Sequence, residues 1–189
     1  MIYRITKYDP TLRDAEGRYL PWTWTSYSDI GRAENGCALC PAVYLEIERR
    51  YTDALMRILQ ELHVDSLCVT ELEPPVRTSA GLQNDFAKKG LSLSAAQADF
   101  LRRVTDTDVI GVLDFEVCFQ LQLRECFWCR LVDSQGRAVV WFGYDYYMYV
   151  ACEAIPAALV RKICADGLLY IEAQTAEGIW LNQDKQENV

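Results

Sequence analysis

FWCRLVDSQGRAVVWFGYDYYMYV, residues 127–150, is the stretch whose reading decides the fold. Residues from Phe127 to Val132, the turn Asp133-Ser134-Gln135-Gly136 and residues from Arg137 to Val150 read as a β-hairpin with a long second strand. Strand side chains alternate between two faces. A two-residue loop puts Phe127, Cys129 and Leu131 on the face of Ala138, Val140 and Phe142, and a slip of one residue would mix the faces. Gly136 could instead mark a bulge. Continued forward, the alternation groups Val140, Phe142, Tyr144, Tyr146, Met148 and Val150 on one side. Trp141, Asp145, Tyr147 and Tyr149 fall on the other, joined by Trp128. One side must be core. The other is then an aromatic surface carrying an acid, the composition of binding hot spots. Trp128, Trp141, Asp145, Tyr147 and Tyr149 are therefore the candidate partner-binding residues. The competing expectation is that a helix covers this side too.

The same periodicity extends upstream. Leu113, Phe115, Val117, Phe119, Leu121 and Leu123 alternate with Asp114, Glu116, Cys118, Gln120, Gln122 and Arg124, which reads as a strand with one apolar face. Ile2 to Tyr8, Trp22 to Ser28, Ser66 to Leu72 and Leu168 to Ala173 are further strand candidates, closed by Asp9-Pro10 and Pro74-Pro75 among others. Asp29 to Pro41 and Arg77 to Gly90 read as loops. From Pro41, Tyr44, Ile47, Tyr51, Leu55, Ile58 and Leu62 recur at steps of three and four, an amphipathic helix. Ser94 and Gln97 form a capping box, with Leu93 as staple, for a helix to about Val104. Pro156 opens a last helix with Leu159, Val160, Ile163 and Cys164 inward and Gly167 as its cap. The expected fold is α+β, a mainly antiparallel sheet with about three helices packed on it. Residues 1–182 form one domain and 183–189 a polar tail.

With 189 residues, 51% hydrophobic and 24% charged, the composition is that of a globular chain able to bury a core. No apolar run approaches the ~18 residues of a membrane span. The start, Met1-Ile2-Tyr3-Arg4-Ile5-Thr6-Lys7, has no signal-peptide core, so a cytoplasmic protein without membrane partners is expected. The formal charge of −8 repels phosphate backbones and argues against nucleic acid, while favouring a basic partner. In that setting the eight cysteines are expected as reduced, partly buried thiols.

Catalytic constellations are hard to assemble. Cys37/Cys40 and Cys126/Cys129 are the two Cys-x-x-Cys pairs, and four thiolates could hold zinc. The second pair lies in a strand, where positions i and i+3 face opposite sides. Cys37 and Cys40 precede a helix, whose dipole could activate a thiol, but no strand feeds the motif as in a thioredoxin-like unit. His63 is the sole histidine, near the end of the long helix, where a capping role fits best. Asp114 and Glu116 share the polar face of the expected strand and would form a carboxylate pair. No nucleotide-, metalloprotease- or calcium-binding motif occurs, and neither a cofactor nor a metal is expected.

Two groups of residues carry a resemblance. Lys7-Tyr8-Asp9-Pro10 with Trp24-Thr25-Ser26-Tyr27-Ser28-Asp29-Ile30-Gly31 is one. Phe127-Trp128-Cys129-Arg130-Leu131 with Phe142-Gly143-Tyr144-Asp145-Tyr146-Tyr147-Met148-Tyr149 is the other. Together they resemble a group of small uncharacterised proteins of Firmicute-type bacteria, similar in size and acidity to the immunity proteins of polymorphic toxin systems. The resemblance implies a non-enzymatic protein-binding role. A thiol- or zinc-dependent protein using Cys37/Cys40, or a small-ligand domain lined by the tyrosines, are the alternatives.

Overall fold

The structure, a computed structural model, describes residues 1–21, 23–34, 37–73, 78–153 and 155–174. The elements run β1 (Ile2–Thr6), β2 (Ala33–Glu34), β3 (Cys37–Ala38), α1 (Pro41–Glu61), β4 (Ser66–Glu73), α2 (Ser79–Lys88) and α3 (Ala95–Arg103). They continue with β5 (Val109–Gly111), α4 (Val112–Leu123), β6 (Trp128–Val132), β7 (Ala138–Gly143), β8 (Tyr147–Cys152), α5 (Ala157–Asp166) and β9 (Tyr170–Gln174). Seven strands form one sheet in the order β5-β4-β6-β7-β8-β1-β9, and every neighbouring pair is antiparallel. The α+β class and the antiparallel sheet are as expected, but five helices among the described residues replace the expected three. The expected tail at 183–189 lies outside the described residues.

Alternation in the strands assigns the layers. Tyr3, Ile5, Leu67, Val69, Cys129, Leu131, Ala138, Val140, Phe142, Met148 and Val150 are buried, and the buried sides of all five helices join them in one core cluster. Their strand neighbours Arg4, Thr70, Trp128, Arg130, Trp141, Tyr147 and Tyr149 are only half-buried. The helices thus cover one face of the sheet. Residues 9–20 cross one end of the other face, where Arg13 reaches Tyr147.

Two helices correct the sequence reading. Residues 112–123 are helical, not a strand. Phe115, Cys118, Phe119 and Gln122 make the inward stripe at steps of three and four, so two residues that look polar in an alternating pattern lie in the core. The helix is gripped by α1, α3 and β5, and Phe119 meets Phe142 of β7 at 6.2 Å. Its second half is buried on several sides and so carries Phe119, Leu121 and Leu123 inward together, while Leu113 in the first turn is exposed; the resulting run mimics period two. The second is α2, within the stretch expected to be irregular. Thr78 caps it by accepting from the Gly81 N–H at 3.2 Å, and Leu82 and Phe86 alone anchor it inward. Two anchors are too few for a visible stripe.

The region from Trp22 to Ser28 is likewise not a strand over its described residues. Ser26 and Asp29 form a capping box around a 3-10 turn at Tyr27–Asp29, which turns Trp24 and Tyr27 into the core. Local signals elsewhere hold. Ser94 and Gln97 cap α3 reciprocally, and α1 begins at Pro41. The capping expected of His63 is not seen in its imidazole: the residue follows the α1 cap Leu62 with φ 55, and it is its backbone N–H that donates to the Gln60 carbonyl. Gly167 caps α5, although Leu168 rather than the glycine takes the left-handed conformation.

Candidate functional site

The β6–β7 hairpin carries the faces that its sequence implies. Leu131 pairs with Val140 and Val132 with Val139. Residues 134–137 form a longer loop than the two-residue turn, closed by the Asp133 N–H on the Ala138 carbonyl, with Gly136 at φ 71. Asp133 organises it: its carboxylate accepts from the Arg137 guanidinium at 2.8 Å on both oxygens and from the N–H groups of Gln135 and Arg137.

Beyond Gly143 the expected long strand breaks. Asp145 and Tyr146 both adopt left-handed backbone, φ 57 and 63, and the Tyr147 N–H reaches the Tyr144 carbonyl at 3.3 Å. This is the geometry of a type I′ turn, whose twist matches the flanking strands. The chain reverses, so β8 pairs antiparallel with β7, and Trp141 faces Tyr149. Tyr146 points into the core, edge-on to Trp24, Tyr44 and Tyr51 at 4.9–5.8 Å. The turn corrects two assignments. Asp145 is exposed at the turn rather than seated among the rings, its carbonyl accepting from the Tyr8 hydroxyl at 2.7 Å. Tyr144, expected inside, is 60% exposed and packs against Trp128 at 5.5 Å.

The remaining candidates, Trp128, Trp141, Tyr147 and Tyr149, do share the open face. Pairing builds one continuous row across six strands: Thr70, Arg130, Trp141, Tyr149, Arg4 and Glu172. Trp141 and Tyr149 stack at 5.1 Å with their planes 4° apart. A Cβ on Gly143 would stand 3.0 Å from the Tyr149 ring, so a side chain there would push the ring aside by a few tenths of an ångström. Arg130 lies over Trp141 at 5.7 Å and pairs with Glu71 at 2.9 Å. At the other end Arg4 stands 4.8 Å above the Tyr147 ring and ion-pairs with Glu172. Arg13, arriving from residues 9–20, donates to the Tyr147 hydroxyl at 3.0 Å and sits 3.5 Å from the same Glu172 carboxylate. Burial would lower the Arg4 pKa, but the Glu172 carboxylate outweighs it and holds the guanidinium above its ordinary value. Tyr149 is pushed up by burial, with Arg4 opposing.

Sequence reasoning found the rings and missed the arginines. Arg4 and Glu172 lie at opposite ends of the chain, and Arg13 is in a turn region without periodic pattern. Only the strand order brings them together.

The other chemistries look different in three dimensions. Asp114 and Glu116 are on a helix, not on a strand face; Asp114 pairs with Arg103 and Glu116 accepts from Gln120. Cys40 is exposed at the start of α1 and makes no capping bond, while the Cys37 side chain lies outside the described parts. Cys118, Cys126 and Cys129 are buried, and the Cys126 thiol donates to the Arg124 carbonyl. Burial pushes the Cys118 and Cys164 thiols up, the latter to about 12, so both stay protonated at neutral pH. Among the described residues no group of three or more His, Cys, Asp or Glu side chains could hold a metal. The space between Trp128, Phe142, Tyr146 and Tyr147 is about 10 Å³, room for one water. Among the described residues no helix is long and apolar enough to cross a membrane. Comparison of the chain with protein-family models, curated proteins and solved structures found no match.

Proposed function

We propose that this chain is a non-enzymatic protein-binding module, of the neutralising or regulatory kind exemplified by immunity proteins, and that it engages its partner through the open sheet face. The observation that carries this reading is the cross-strand row in which Arg130, Trp141, Tyr149 and Arg4 lie side by side, half-buried, on the face that none of the described helices covers. Tyr, Trp and Arg are the residues that dominate measured binding energies, because each offers a large rigid surface with a polar end. Strands hold them in fixed register, so little ordering entropy is lost on association. The partner-binding residues are Trp128, Trp141, Tyr147 and Tyr149; Asp145 contributes at the rim. The overall charge of −8 steers a basic partner from a distance.

Photo-crosslinking tests it. A benzophenone side chain at position 141 in the source cell should capture one protein in stoichiometric yield, and the same group at Leu45, exposed on α1, should not. Trp141→Ala should then weaken binding of that protein by at least about tenfold. Equal capture at both positions, or none at 141, would overturn the reading.

A further inference from the structure

We infer that the partner places a carboxylate, from an Asp or Glu side chain, against Arg4 and Arg13, so that the contact selects an acidic and apolar epitope although the chain as a whole is acidic. The inference rests on the reading of the open face as a protein-binding surface and specifies what that surface recognises. Among the described residues, Arg4 and Arg13 converge on a single carboxylate, Glu172. Their side chains are only 15% and 12% exposed, and that of Glu172 is 18% exposed. Two guanidiniums against one carboxylate leave one positive charge in excess among the described residues, at a site largely withdrawn from water where Arg13 otherwise donates only to the neutral Gly17 carbonyl and Tyr147 hydroxyl. A charge so placed is costly unless paired, and an incoming carboxylate both pairs with it and completes the desolvation. The ring of Tyr147 and the stacked Trp141 and Tyr149 lie directly beside it. A carboxylate carried next to an aliphatic or aromatic residue would therefore satisfy both features together.

The face is also polarised. Glu71 and Glu73 lie at its opposite, β4 end, near Arg130 and Trp128, where Arg130 is paired with Glu71. An acidic group of the partner is repelled there and attracted at the Arg4–Arg13 end, which fixes a single docking direction. Long-range steering and short-range contact thus ask for different things. The net charge favours a basic partner, and the contact asks that partner to present an acid at this one point.

The test uses the full chain, isotopically labelled, and two synthetic peptides with the same Phe-Leu centre, one flanked by glutamates and one by lysines. The glutamate peptide should shift the Trp141 indole and the Arg4 and Arg13 side-chain signals, and bind at least about tenfold more tightly than the lysine peptide. Arg13→Gln should remove most of that difference, and Arg13→Lys should restore part of it. Thermal unfolding of each variant separates lost contact from lost folding of residues 9–20. Equal or tighter binding of the lysine peptide overturns the inference, as does absence of shifts at these three residues. A thymidine oligonucleotide that outcompetes the glutamate peptide does so too, since the site would then read phosphate. Crosslinking at position 141 remains an independent readout: a captured protein whose binding is indifferent to Arg13→Gln refutes the carboxylate contact and leaves the binding role intact.

Discussion

Single residues here do work that their sequence positions hide. Tyr146 is the clearest case. It adopts a left-handed backbone, costly for a bulky side chain, and the compensation is a ring wedged among Trp24, Tyr44 and Tyr51. Tyr146→Ala should cost about 3–5 kcal/mol in urea unfolding, the loss typical of a buried aromatic. A cost near zero would mean that the turn is not held by its ring. Asp133 gives a pH signature. Its bonds from the Arg137 guanidinium, with those from two backbone N–H groups, hold its pKa down to about 2, against an ordinary value of 3.8. A depressed carboxylate stabilises the fold above its unfolded pKa and loses that contribution as pH falls through the folded one. Stability should therefore fall between about pH 4 and 2, and Asp133→Asn should flatten the fall in that window. An unchanged acid profile in the variant would refute the assignment.

Among the elements, α4 is where local pattern and tertiary structure part company. Its capped end carries Arg124, whose guanidinium donates to both oxygens of Glu48 on α1 at 2.6 and 2.7 Å and to the Ser92 carbonyl at 3.1 Å. Both side chains of the ion pair are at most 6% exposed. A pair this deep adds little net stability, because desolvation offsets the attraction, but it joins α1 to α4 in one geometry. Glu48→Gln leaves a buried cation without its partner and should cost about 3–5 kcal/mol. The double change Glu48→Leu with Arg124→Met should recover most of that loss. If the double variant is as unstable as the single one, packing rather than charge explains the effect. Capping and amphipathic spacing made α1 and α3 legible in the sequence because those signals lie within each helix. For α4 the deciding fact was enclosure by other elements, which no window of sequence contains.

On the scale of the whole molecule, one core cluster takes side chains from the sheet and from all five helices. Loss of any layer uncovers the others, so unfolding should be a single transition, coincident by far-UV circular dichroism and tryptophan fluorescence. Two separated transitions would contradict that organisation. The excess negative charge does not lie at the centre of the open face, where Trp141 and Tyr149 stack between Arg130 on one side and Arg4 and Arg13 on the other. Net charge is a sum and says nothing about distribution. The acid expected among the rings, Asp145, is displaced to the sheet end by the turn it forms.

The sequence by itself determined the elements whose signals are local and the alternation that sorts Trp128, Trp141, Tyr147 and Tyr149 from their buried neighbours. Side-chain direction in a strand follows from backbone geometry alone, so that sorting survived even though the strand was broken in two. Tertiary structure alone decided that residues 112–123 coil into a helix and that the chain reverses at Asp145-Tyr146. It alone brings Arg4, Arg13 and Glu172, from distant parts of the chain, beside the rings. Each of these outcomes depends on contacts between segments far apart in sequence, and a contact has no energy until both partners are in place.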